Sequence, residues 1–401
     1  MAKPKLALIP AAYGTKFYSI LPSDGVGDFD FSRGSVATRI NPEGLIENVA
    51  SGQSRLNYPL VNGVVKGCPH YLLERSRTNL IPYSEDFTQS TWVKQSGGVA
   101  SAPVVTSNYS ISPAGTLNAD RIIFNNGGGS TSSDFSQIND PVTASIGDVS
   151  NSVYIKSNTT ASYTMSLVNS VGGFATILVT TEWQRFEVNA TTTTTAASFR
   201  LRLRGSESTS DFADVSVWGA QLEEGSFATS YIPTSGQSGG VTRSAETANG
   251  AGDASTFNST EGVLMVESKG FSDLQTSSSY IQLSKNGESS ATNSLVIQHR
   301  NNGFLRIYAN GFASANIIFN VNIDFTQSHK IAVLYKLNGY RLFIDGFEQS
   351  LSGTPTQTVF SGLDNLAFDL RGGAVWNSQI KQLQYFDSSL TEAELQALTT
   401  I

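Results

Sequence analysis

One cysteine in 401 residues leaves no partner for an intrachain disulfide and no thiolate cluster for a structural metal. Stability must come from burial, association or bound ions, and Cys68, beside Pro69, reads as a small packed side chain. Charge is scarce as well: Asp, Glu, Lys and Arg make up 15% of the chain, the formal net charge is -7, and no basic run interrupts it. That balance cannot neutralise a row of phosphates, which excludes nucleic acid as a partner. Apolar residues never approach the roughly 18 in a row of a membrane span, so no membrane insertion is expected. The opening MAKPKLALIPAAYG starts basic, but its apolar run is short and broken by Pro10. It makes a poor secretory signal, and a soluble protein made in a cytoplasm is the expectation. The three histidines, His70, His299 and His329, come without HExxH, GxSxG or metal-ligand spacing. They read as capping, packing or solvent-facing residues.

What the chain has in quantity is glycine, serine and threonine. With 36 Gly and 39% hydrophobic residues, it favours many short strands over helices, and its length suits two or three domains. Residues 1–75 alternate weakly, as in DFDFSRGS with Phe29 and Phe31, and turn at Asn41-Pro42-Glu43-Gly44. They hold too few apolar residues for a core of their own and are expected to order against a partner chain or a following domain. Residues 76–238 contain clear one-sided strands. SVYIKS sets Val153 and Ile155 against Tyr154 and Lys156, and SFRLRLRG sets Phe199, Leu201 and Leu203 against Arg200, Arg202 and Arg204.

Residues 239–256, rich in Gly and Ser and without periodicity, read as a linker. Beyond them, residues 257–401 alternate strand-like segments with the dipeptides Asn310-Gly311, Asn338-Gly339 and Asp345-Gly346, each a two-residue hairpin signal. The one clear helix closes the chain, where Thr391 stands three residues before Glu394 and Leu395 and Leu398 follow at helical spacing. The expected fold is all-β: two antiparallel jelly-roll or sandwich domains in tandem after an irregular N-terminal segment, with one short C-terminal helix.

Several ordered motifs point further. FSRGSVATRINPEGLIENVASGQSRLNY, GCPHYLLERSRTNLIPYSEDFTQSTWVK, TEWQRFEV, ADVSVWGAQLEEGSFATSYIPT and VTRSAE together resemble tail and other virion surface proteins of bacteriophages. The block from Asn79 to Thr234 is similar to a jelly-roll carbohydrate-binding module, and residues 257–401 resemble the concanavalin-like, laminin-G-like sandwich. The first resemblance implies a structural calcium ion, carried over to Asp86 and Asp214. Tyr83, Ser84 and Glu85 replace the usual Asn and Gly of the opening strand. The set implies a non-enzymatic virion protein displayed on the particle as tail fibre, tail appendage or head fibre. Its expected partners are other virion proteins and host-surface glycans, and a homo-oligomer, a trimer, is expected because residues 1–75 lack a core.

Two candidate chemistries follow from the residues themselves. Alternation places Arg200, Arg202 and Arg204 on one sheet face at intervals of about 7 Å, where forked donors can read acidic sugars or a partner's carboxylates. Tyr154 and Lys156 join that face if their strand is its neighbour. Glu223 and Glu224 form a glycosidase pair only if they face each other across a cleft, and neighbours on a strand point apart. They read as a solvated turn after a packed Trp218 and Leu222. Two other functions remain open: a capsid or tail cement protein that binds no sugar, and a polysaccharide depolymerase.

Overall fold

Alternation of apolar and polar residues builds the middle of the chain into two facing antiparallel sheets. The structure, a computed structural model, describes residues 2–61, 63–169, 173–271, 278–285, 293–300, 302–309, 317–337, 339–352, 360–370 and 376–401. One sheet, here the arginine sheet, runs in the order Val93–Gly97, Phe135–Thr143, Ala196–Arg204, Tyr163–Asn169, Gly173–Val179. Its partner, the tryptophan sheet, runs Ser101–Ile111, Leu117–Asn125, Phe212–Glu224, Gly147–Ser157, Gln184–Thr192. Between them lie Trp92, Phe124, Val153, Ile155, Phe199 and Leu201, all buried. Removing each such side chain from water contributes about 1.5–3 kcal/mol, which fixes the strand register by fixing which face turns inward.

A second two-layer unit follows. Its smaller sheet orders Ile317–Asn322, Phe304–Ala309, Ser294–His299, Ser279–Ser284 and Asn365–Ala367. The larger sheet places Ser378–Phe386, Glu261–Gly270, Ser328–Lys336, Gly339–Ile344 and Phe347–Gln349 side by side. The helix Glu392–Thr399 lies on that sheet's outer surface, with Leu395 and Leu398 packed among Met265, Leu334 and Phe343. Thr391 caps it in a full capping box with Glu394, as the spacing predicts. Asp345 and Gly346 both take positive φ (51° and 86°) in the hairpin joining Gly339–Ile344 to Phe347–Gln349. Asn310-Gly311 and Asn338 lie outside the described residues.

The first 75 residues are not irregular. Leu6–Tyr13 pairs with Ser378–Phe386 (Leu6↔Tyr385, Leu8↔Leu383), and Lys16–Leu21 and Phe29–Ser32 extend the larger sheet beyond it. His70–Leu73 also pairs with Ser378–Phe386. Leu6, Leu8, Phe17, Phe29 and Tyr71 thereby enter the core of the C-terminal sandwich. The apolar residues too few for a core of their own are enough to complete another. The stretch expected as a linker, 239–256, carries two strands: Val241–Arg243 pairs with Arg77–Asn79, and Thr247–Asn249 pairs with Phe29–Ser32. The hairpin Ala37–Ile40/Ile46–Val49 lies against the outer face of the tryptophan sheet, where Ile46 packs with Trp218 and Tyr231. Cys68 is exposed rather than packed.

Candidate functional site

The arginine strand, Ala196–Arg204, turns Phe199, Leu201 and Leu203 into the core and presents its arginines outward. Register fixes their neighbours. One cross-strand row reads Val93, Asn139, Arg200, Val168, Phe174, and the next reads Gln95, Gln137, Arg202, Ser166, Thr176. This gives a polar centre with an exposed apolar margin at Phe174 and Leu178.

The three guanidinium groups differ in what they meet. Arg202 is almost wholly buried and grips Glu207 with a side-on fork, Nε to Oε2 at 2.8 Å and Nη2 to Oε1 at 2.6 Å. Arg204 reaches the same carboxylate at 3.4 Å and lies over the Phe135 ring. Arg200 donates through Nε to Asn139 Oδ1 at 3.1 Å, and no carboxylate lies within ion-pair distance among the described residues. Burial first, and the Arg204 charge second, both disfavour its positive form and lower its pKa. An arriving anion relieves both.

Tyr154 and Lys156 are not part of this face. Their strand pairs with Gln184–Thr192 and Phe212–Glu224, so both project from the outer surface of the opposite sheet. There the Arg185 guanidinium lies 5.5 Å from the Tyr154 ring, Trp218 meets that ring edge-on at 5.6 Å, and Lys156 lies 5.2 Å from the Trp183 ring. The condition for Tyr154 and Lys156 to join the arginine row is therefore not met, and the candidate glycan-binding residues Tyr154, Lys156, Arg200 and Arg202 fall on two surfaces. Alternation settles which way a side chain points but not which strands become neighbours.

Asp86 and Asp214 sit in separate networks. Burial alone would raise the Asp86 carboxyl, but hydrogen bonds from Gln89 and Thr88 hold it below its ordinary value. Asp214 accepts from Arg121 through both oxygens and from Asn158, and the Arg121 bonds lower its pKa. The two carboxylates share no partner, and among the described residues no three acid, histidine or cysteine side chains gather as a metal-ligand group. Glu223 and Glu224 end a strand rather than lie in a solvated turn. Glu223 is fully buried and accepts from Thr229, and burial raises its pKa. Glu224 faces out and accepts from the Ser145 backbone.

A cluster that residue patterns did not signal lies where the N-terminal segment, the first sandwich and residues 241–246 converge. Arg55 donates to Glu246 and to Glu74, Arg33 donates to Glu246 at 2.8 Å, and Arg243 stands 3.1 Å from Glu74. All five side chains are shut off from water. Burial by itself would raise Glu74, but Arg243, Arg55 and Ser230 hold it at about 2. Every member falls in a quoted motif: FSRGS, SRLNY, LLERS or VTRSAE. Nothing local in these motifs separates the five from solvated charges, and the cluster they form is a structural clamp.

No protein-family model matches the chain, and no curated protein matches it. Among solved structures, the sialidase CBM40 of Ruminococcus gnavus bound to alpha2,3 sialyllactose is similar at 17% identity and TM-score 0.29, over 38% of this chain and 88% of that one. Domain 4 of AbnA, a GH43 extracellular arabinanase from Geobacillus stearothermophilus, in complex with arabinotriose, is similar at 11% identity and TM-score 0.28. That match covers 39% of this chain and 73% of the domain. The binding domain of Paraclostridial Mosquitocidal Protein 1 is similar at 14% identity and TM-score 0.27, over 38% and 43% of the two chains. These likenesses span little more than a third of the chain, and the chemistry of the site rests on its own residues.

Proposed function

We propose that this chain is a non-enzymatic bacteriophage virion protein that holds anionic glycans of the host surface on the outer face of the arginine sheet. The observation that carries the binding reading is Arg200, a half-buried cation with a neutral partner and, among the described residues, no counter-ion on an open sheet face. Such a group prefers an incoming carboxylate or sulfate, and the amides of Asn139, Gln137 and Gln95 stand in the same rows to accept from or donate to sugar hydroxyls. Phe174 at the margin offers a ring for stacking. A shallow site of this kind binds weakly alone, and several copies on one particle raise avidity by orders of magnitude. Placement on a virion is supported by the ordered motifs between Phe29 and Glu246. Glu223 and Glu224 point to opposite sides of their strand, which supports holding over cleaving.

The test is binding of the purified protein to host cells and to their extracted polysaccharide, with polymer length followed in the same samples. Saturable binding that falls at least tenfold in Arg200→Ala, with the polymer intact, is the expected result. Shortening of the polymer would instead make the protein a depolymerase. A cement role is the second reading, favoured by the exposed Ile9, Tyr18 and Ile20 on the added edge of the larger sheet. It gains if the protein assembles onto particles yet binds neither cells nor polymer.

A further inference from the structure

On the far side of the same sandwich, the outer face of the tryptophan sheet does not meet the N-terminal segment flush. A cleft of about 200 Å³ remains, walled by Tyr154 and Arg185 from the sheet, Tyr231 and Ile40 from the covering loops, and Leu72 and Gln379 from the C-terminal unit. It is smaller than the 300–1,000 Å³ that drug-sized ligands fill and equals the liquid volume of about seven waters, room for a single ring.

Most polar groups facing this space are paired, but three are not fully matched. Arg185 donates from Nη2 to Ser152 Oγ at 2.9 Å, but its Nε is buried without an acceptor. Neither the Tyr154 hydroxyl nor the Gln379 amide has a hydrogen-bond partner among the described residues. Of these only the Arg185 Nε is a buried donor without an acceptor, a rare state in folded proteins, while the partly buried Tyr154 hydroxyl and Gln379 amide line the cleft where water or a ligand can meet them. The acid on the wall, Glu74, is already held by Arg55 at 2.8 Å and Arg243 at 3.1 Å, so the charge left over at the cleft is the positive one of Arg185. A phenol hydroxyl, a guanidinium edge and an apolar wall form a receptor for an acceptor-rich anion with a ring-sized body.

We infer that this cleft is a second ligand site, independent of Arg200, that takes one ring-sized carboxylic acid of the uronic acid class. The carboxylate accepts from Arg185 and the Tyr154 hydroxyl, and the ring lies against Tyr231 and Ile40. No covalent step is involved.

The full chain, labelled with 15N at arginine, is titrated with D-glucuronate and separately with D-glucose, following the Nε–H resonance of Arg185. A saturable shift with glucuronate and none with glucose is the expected result. Tyr154→Phe weakens the binding at least fivefold, and Ala228→Leu, which fills the cleft from its rim, abolishes it. Circular dichroism and thermal unfolding establish that both variants fold. The inference is overturned if the resonance does not saturate, if glucose moves it equally, or if both folded variants keep the parent affinity. Because the signal belongs to Arg185, a failure of polysaccharide binding at Arg200 leaves this result standing, and the reverse holds.

Discussion

Arg55 and Glu246 meet side-on with no access to solvent: Nε donates to Oε1 at 2.8 Å and Nη2 to Oε2. The pair joins a residue of the N-terminal segment to one that follows the first sandwich, and Arg55 Nη2 continues to Glu74 at 2.8 Å. Replacing Arg55 by Met leaves two buried carboxylates short of a donor, and breaking a buried pair from one side costs about 3–5 kcal/mol. Arg55→Met should lower the unfolding free energy read from urea melts by that amount. Since the cluster ties three parts of the chain together, the parent protein should also unfold in one transition followed equally by tryptophan fluorescence and circular dichroism. Two separate transitions would show the clamp to be weak.

Acid should release the same clamp. Glu74 is held at about 2 in the fold against an ordinary 4.5, so its contribution is complete above the unfolded value and is lost as pH falls from about 4.5 towards 2. A depressed carboxylate of this kind contributes on the order of 3 kcal/mol. Thermal unfolding between pH 6 and pH 3 reads the loss. Glu74→Gln should flatten that part of the curve while lowering stability at pH 6.

The neighbouring arginines on the candidate face should separate in their effects. Arg202→Ala strips Glu207 of its fork in a nearly buried setting and should cost about 2 kcal/mol, the scale of hydrogen bonds to charged groups. Arg200→Ala removes a half-buried cation that lacks a counter-ion among the described residues. Its effect on stability should stay within about 0.5 kcal/mol, the range of surface changes without a special role. Paired melting curves check this, and equal losses in both variants would mean that Arg200 is also structural.

How much of this was legible in the sequence depended on distance along the chain. Val153, Ile155, Phe199 and Leu203 announced their buried faces through local alternation, and Thr391 with Glu394 announced the helix start, because both signals act within a few residues. Strand neighbours are set by long-range pairing, so placing Tyr154 beside Arg200 was beyond periodicity. The N-terminal strands had the same ambiguity: Leu6 and Leu8 look too sparse for a core until Tyr385 and Leu383 are opposite them. Arg55 and Glu246 are 191 residues apart, and nothing local distinguishes a buried charge from a solvated one.

Asp140 opposes the acid dependence of Glu74. It is buried on the inner side of the arginine sheet beside Phe199, its Oδ2 has no partner among the described residues, and burial pushes its pKa up to about 7. A carboxyl raised from its ordinary 3.8 favours folding while protonated, so its cost is absent below the unfolded value and grows as pH rises through about 7. Asp140→Asn keeps the shape and removes the charge. At pH 8 the variant should be more stable than the parent by on the order of 2 kcal/mol, the scale of an unrelieved buried charge less the amide's own unmet donors. At pH 4 the order should reverse, because Asp140 is largely protonated in the fold and costs little there, whereas the amide's unmet donors remain. Glu74 titrates in both proteins and cancels from the difference. Thermal unfolding of the pair at the two pH values decides it, and a gap that stays constant with pH would place Asp140 in contact with water or with a cation.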